Sequence, residues 1–293
     1  MDDSLKQRIS NQIFKFETAV SHVGDDDATF TLDFERGVYR QDDLVGLIRD
    51  IVPYFALTAD ELSNFDLSEL NRRAFTRISD ANPDKKGDYG ELLLYIVLSI
   101  FYDAPKFVTK ARLRSTTVEQ IKGFDCAHFT ILEDVVTLWL GEAKFHKSFS
   151  GALFSAVESL KDHLEDDQRI KRELRLLGGE IEINKQLEPD LYEQVKGYVD
   201  GGRSLDSIPI RVPVLLTYDS PYVKLCDGNA ASDINSDEFK DTLTVELEAK
   251  FQSIYGKDWP NVTNVKLVFF VMPLHSVSDM KVKLEQMEQA MKF

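Results

Sequence analysis

Residues 135–145 read VVTLWLGEAKF, an apolar run that turns charged at its end. β-Branched and aromatic residues favour a strand over the first six positions. The change after Leu140 is what a buried strand shows where it opens into a cleft. Side chains alternate across a strand, so Glu142 and Lys144 share one face while Ala143 points to the other. The preceding stretch, FDCAHFTIL at 124–132, reads as a second strand. A hairpin turn near Glu133 and Asp134 would join the two. Counting outward from that turn sets Asp125 nearly opposite Glu142, in a register that a one-residue bulge would break.

Further out, Gly87 to Phe101 (GDYGELLLYIVLSIF) is a strongly apolar helix, and Phe107 to Arg114 alternates as a strand. Ser150 to Leu177 reads as a long helix with a mixed-charge outer face. Val212–Tyr218 (VPVLLTY) and Val265–Met272 (VKLVFFVM) have the composition of buried strands. Helices around Ser236–Tyr255 and Val277–Met291 flank the second of them. This helix–strand–strand–strand–helix–strand order implies an α/β fold with a mixed sheet between helices.

The first 80 residues read as a separate α+β region, suited to docking a partner. It holds a strand over Ala28–Phe34 and a helix over Asp42–Phe55 interrupted by Pro53. Two short helices follow, Thr58–Asn64 and Leu67–Ile78, each opened by a Thr or Asp that can cap. The turn-rich stretch from Ser79 to Lys86 is the expected boundary, which leaves residues 81–293 for the main domain.

Composition narrows the functional classes. No stretch approaches the ~20 apolar residues a membrane span needs. The opening MDDSLKQRIS lacks the basic and apolar regions of a signal peptide, so a cytoplasmic protein is expected. Cys126 and Cys226 form neither a CxxC pair nor a Cys/His cluster, which argues against a disulfide framework or structural zinc. The net charge of −15 is unfavourable for a protein that binds DNA unaided. Yet residues 84–147 carry nine basic and nine acidic side chains, so the acidic excess lies outside them. An acidic body around a neutral centre suggests weak intrinsic DNA binding and a partner that delivers the substrate.

Two carboxylates meeting at ~4–5 Å across neighbouring strands repel unless a cation lies between them. Mg²⁺, with Mn²⁺ as the alternative, suits such hard oxygen ligands and keeps waters for an anionic substrate. The Ala143 carbonyl could add a ligand. In a hydrolytic site Lys144 would position the attacking water and stabilise charge at phosphorus. Glu91 sits in the first turn of the apolar helix, just after Gly90, where it gains from the helix dipole and could project toward the metal. Lys110, Arg112 and Arg114 alternate onto one strand face, where DNA phosphate contact and a solvated, acid-paired face are equally good readings. His146 fits a solvent-exposed strand end, and His128 falls on the face opposite Asp125.

The segments GDYGELLLY, KGFDCAHF and LWLGEAKFHKS together resemble the PD-(D/E)XK nuclease superfamily. Gly90-Glu91, Gly123-Phe124-Asp125 and Gly141-Glu142-Ala143-Lys144 carry the likeness. Their wording is similar to the HamA effectors of the Hachiman anti-phage defence system, over residues 80 to 290. The chain departs from the superfamily pattern in having Phe124, not Pro, before Asp125. The resemblance implies a restriction-endonuclease-like core with Asp125, Glu142, Lys144 and Glu91 as catalytic residues. It also implies Mg²⁺-dependent DNA cleavage controlled by a superfamily-2 helicase partner, HamB. Two other readings stand beside it: a non-catalytic nuclease-fold adaptor that docks a helicase or senses DNA, and a restriction-like or repair nuclease with its own sequence preference.

Overall fold

A computed structural model describes residues 1, 3–16, 24, 26–79, 88–102, 104, 106–109, 124–132, 135–164, 193–194, 196–198, 202 and 208–292. The strands run β1 (Ile13–Phe16), β2 (Ala28–Leu32), β3 (Phe34–Glu35), β4 (Val38–Tyr39), β5 (Lys106–Thr109), β6 (Cys126–Leu132), β7 (Val135–Lys144), β8 (Ile210–Asp219) and β9 (Val265–Leu274). The helices are α1 (Asp3–Ser10), α2 (Gln41–Ala56), α3 (Ala59–Asn64), α4 (Leu67–Ser79), α5 (Asp88–Phe101), α6 (Phe149–Leu164), α7 (Pro221–Cys226), α8 (Asp237–Tyr255) and α9 (Val277–Met291).

Among the described residues, seven strands form one sheet in the order β1-β2-β9-β8-β7-β6-β5. β7, β8 and β9 are parallel, and β5–β6–β7 form an antiparallel flank. The fold is therefore α/β with a mixed sheet flanked by helices, as the element order predicted. Its architecture is compatible with a nuclease-like core.

Register ties side chains from distant segments into rows. Glu142 lies beside Val214, which lies beside Phe269; Ala143, Leu215 and Phe270 form the next row. Because adjacent rows point to opposite faces, the two helical layers can be told apart by what they touch. Phe269 meets Tyr255 at the end of α8 and Trp259 just beyond it, with Tyr255–Phe269 ring centroids 6.3 Å apart. Phe270 meets Phe30 and Tyr102, which follows α5. So α6 and α8 cover the Glu142 face, while α5 covers the Ala143 face with α2, α4 and α9 packed beside it.

The N-terminal segment shares this sheet. Ala28 and Thr29 of β2 pair in parallel with Phe270 and Val271 of β9. Gln41, at the start of α2, exchanges hydrogen bonds with the main chain of Ser276, its amide donating at 2.9 Å and its carbonyl accepting at 3.0 Å. The boundary expected at 79–86 falls largely outside the described residues. Pro53 does not interrupt α2, which runs through to Ala56. A proline forfeits the bond to the carbonyl four residues earlier; here that is Arg49, whose side chain is on the partly exposed flank of the helix. Thr58 caps α3 in a capping box with Glu61, and Asp66 caps α4 by accepting from the Glu69 amide.

No helix among the described residues is long and apolar enough to cross a membrane.

Candidate functional site

The centre of interest is the end of β7. Strand pairing between β6 and β7 reaches Cys126 opposite Gly141. One step further, the Asp125 amide donates to the Gly141 carbonyl at 2.8 Å, and Asp125 Oδ2 accepts from the Ala143 amide at 2.8 Å. Asp125 thus stands beside Glu142, as the hairpin count expected, although the turn residues Glu133 and Asp134 lie outside the described residues.

Glu142 is 2% exposed and Asp125 8%. Burial pushes the Glu142 carboxyl up, to about 7, and the charge of Asp125 adds to the shift. Lys144 and Ser159 pull it back. Lys144 Nζ lies 2.5 Å from Glu142 Oε1, and the Ser159 hydroxyl donates to the same oxygen at 2.7 Å. His163, one turn further along α6, holds Nδ1 at 3.8 Å from Glu142 Oε2. Phe124 packs its ring on His163 with centroids 5.1 Å apart.

Beyond Lys144 the chain is pinned by Thr217 of β8. Its hydroxyl accepts from the His146 amide at 3.1 Å and faces the carbonyls of Lys144 and His146, each at 3.3 Å. The imidazole of His146 is pushed below its ordinary value, by desolvation first and then by the charges of Lys281 and Lys144.

Glu91 enters from the other layer. A methyl group on Gly90 would lie 3.1 Å from Phe145 Cβ and 3.3 Å from Ala143 Cβ, so the start of α5 presses directly on the end of β7. At its far end Tyr102 meets Trp139 with ring centroids 5.4 Å apart. The helix therefore runs antiparallel to β7, and its first turn, with Glu91 2% exposed, opens at the strand end that carries Glu142 and Lys144. Among the described residues, however, no three His, Cys, Asp or Glu side chains are grouped so as to hold a metal. Asp125, Glu142 and Lys144 are brought together; Glu91 is near their end of the strand but not grouped with them as a third ligand.

Lys110, Arg112 and Arg114 lie outside the described residues. His128 is a core residue, fully buried, with Nδ1 3.1 Å from the Ala104 carbonyl and its ring stacked on Tyr95. Ser159 and His163 are not among the residues expected from sequence, because the charged outer face of α6 dominates its pattern. The legible signal was their spacing: two polar residues four apart, on the stripe formed by Ala152, Ala156 and Leu160.

The donor chemistry suits a divalent cation. Two carboxylates from adjacent strands provide hard oxygens, and their mutual repulsion in a buried place is what such a cation would relieve. Glu142 Oε2 is buried and accepts no hydrogen bond among the described residues.

Residues 10–287 match the HamA family over nearly the whole chain. The chain belongs to the HamA family. Membership makes it a component of Hachiman antiviral defence, a system in which HamA works with a partner. The first 80 residues, which lie outside the sequence likeness over 80 to 290, fall mostly within the matched span. Among curated proteins none matches.

Proposed function

We propose that this HamA-family chain is a divalent-cation-dependent deoxyribonuclease of PD-(D/E)XK type, acting under the control of a helicase of superfamily 2. The observation that carries this reading is the buried Asp125–Glu142 pair across β6 and β7, with Lys144 on the Glu142 side of the strand.

Asp125 and Glu142 would hold Mg²⁺ or Mn²⁺. A strand residue directs its amide and carbonyl toward the same neighbour. The Ala143 amide reaches Asp125, so the Ala143 carbonyl is available on that same side. Bound there, the cation supplies a Lewis acid for the scissile phosphate and neutralises charge developing on its oxygens. Lys144, carried on the last residue of β7, brings an ammonium group to the same place. Its role is to orient the attacking water and to stabilise the added negative charge at phosphorus. Asp125 stays fixed by the Ala143 amide throughout.

The net charge of −15 supports control by a partner. A helicase attached to this chain would supply DNA at high local concentration, so little intrinsic affinity is needed.

The test uses the purified chain with its co-expressed helicase, DNA and Mg²⁺. Wild type degrades DNA and protects cells from phage. Glu142→Gln and Lys144→Ala assemble normally but lose both functions. Full degradation by both variants would overturn the nuclease reading, and undiminished protection would return the chain to the adaptor reading.

A further inference from the structure

The two groups that hydrogen-bond Glu142 act on one of its oxygens, while the other has only the His163 imidazole nearby, Nδ1 at 3.8 Å, among the described residues. Lys144 and Ser159 engage Oε1, at 2.5 and 2.7 Å, while Oε2 accepts no hydrogen bond among the described residues. A carboxylate rotates about its terminal torsion through a broad, two-fold profile. Something must therefore decide which oxygen points where. Lys144 is a poor candidate, since its ammonium sits on a flexible four-carbon stem. Ser159 is a better one, because its short side chain is fixed by a helix packed through Ala156 and Leu160, both fully buried.

The direction of the Ser159 hydroxyl differs from that of three other helical hydroxyls. Ser10, Thr76 and Ser253 also sit in helices, and each donates to the carbonyl four residues earlier. That local bond is the common fate of a hydroxyl in a helix. Ser159 instead donates across to the sheet.

We propose that Ser159 is a positioning residue that holds Glu142 Oε1, leaving Oε2 to face the cation. The inference rests on the cation site proposed above. It assigns to α6 a part in metal binding that none of the sequence motifs carries.

The test measures Mn²⁺ binding to the full chain by titration and electron paramagnetic resonance, alongside DNA cleavage. Ser159→Ala weakens Mn²⁺ binding by roughly 10–100-fold, the usual consequence of removing a group that orients a ligand. Ser159→Thr and Ser159→Val have nearly the same shape, so they disturb packing alike and differ in the hydroxyl. Thr retains binding within about threefold of wild type, and Val loses it as Ala does. Glu142→Gln is the control. If Glu142→Gln abolishes binding while Ser159→Ala and Ser159→Val bind as wild type, the role of Ser159 is overturned and the cation site stands. If Glu142→Gln binds Mn²⁺ normally, the cation site itself fails and the inference falls with it.

Discussion

The main-chain amide of Ala143 donates a 2.8 Å hydrogen bond to the carboxylate of Asp125, so a side chain completes the edge of β7 where pairing with β6 stops. This makes Asp125 both a structural acceptor and a proposed ligand. The two roles separate by substitution. Asp125→Asn keeps an acceptor for the amide and stays within about 1 kcal/mol of wild type in denaturant unfolding, yet it loses DNA cleavage. Asp125→Ala loses cleavage too, and also leaves the buried amide without its acceptor, at a cost of about 1–3 kcal/mol. Equal stability of the two variants would show that the bond contributes nothing.

Glu142 predicts an inverted stability effect. An acid whose folded pKa is raised, here to about 7, penalises the folded state as pH climbs above its unfolded value. The penalty grows between the unfolded value of 4.5 and the folded one, so it is small at pH 5 and complete above pH 7. At pH 8 without divalent cation, Glu142→Gln therefore melts no lower than wild type. Saturating Mg²⁺ reverses the order, raising the melting temperature of wild type alone. Differential scanning fluorimetry at pH 5 and pH 8, with and without Mg²⁺, reads all four conditions.

Gly90→Ala tests how closely α5 is pressed on β7. Alanine gains up to about 1 kcal/mol in helix propensity. The added methyl group, however, would meet Ala143 Cβ on β7 at 3.3 Å and Phe145 Cβ just beyond it at 3.1 Å, and both residues are buried. The clash wins, with a net loss of about 1–3 kcal/mol. Cleavage falls as well, since the displaced strand end carries Lys144. An unchanged melting temperature would refute the close contact.

Glu61 governs an acid-sensitive contact. Burial opposes its charge, but hydrogen bonds from Arg77 and Thr58 prevail and hold the carboxyl down at about 2. Arg77 grips it at 2.8 and 3.0 Å while also donating to the Ala56 carbonyl. With a depressed folded pKa, the contribution is full above the unfolded value and disappears as pH falls through the folded one. Discounted for solvent screening, it is about 1 kcal/mol. Glu61→Gln loses that amount in urea unfolding at pH 7, and the difference from wild type closes near pH 2.

What could be read from sequence followed the range of the interactions. The β6–β7 hairpin is local, so alternation and a turn were enough to set Asp125 beside Glu142. The caps at Thr58 and Asp66 were equally legible, each needing only its next three residues. Sheet order was not, because β2 and β9 lie more than 200 residues apart and pairing leaves no local trace. The continuity of α2 through Pro53 depends on packing, which overrides the loss of one hydrogen bond. Ser159 and His163 are harder to read for a different reason: on a charged helix only their four-residue spacing on the apolar stripe sets them apart.

The parallel pairing of Ala28 and Thr29 with Phe270 and Val271 sets the timing of assembly on the ribosome. The early β1–β2 hairpin must wait, its other edge open, until residues 270 and 271 have been synthesised. A broken message or a stalled ribosome then releases a fragment whose sheet cannot close. For a polypeptide proposed to cut DNA, half-made copies would then lack the finished sheet that carries the Asp125–Glu142 pair.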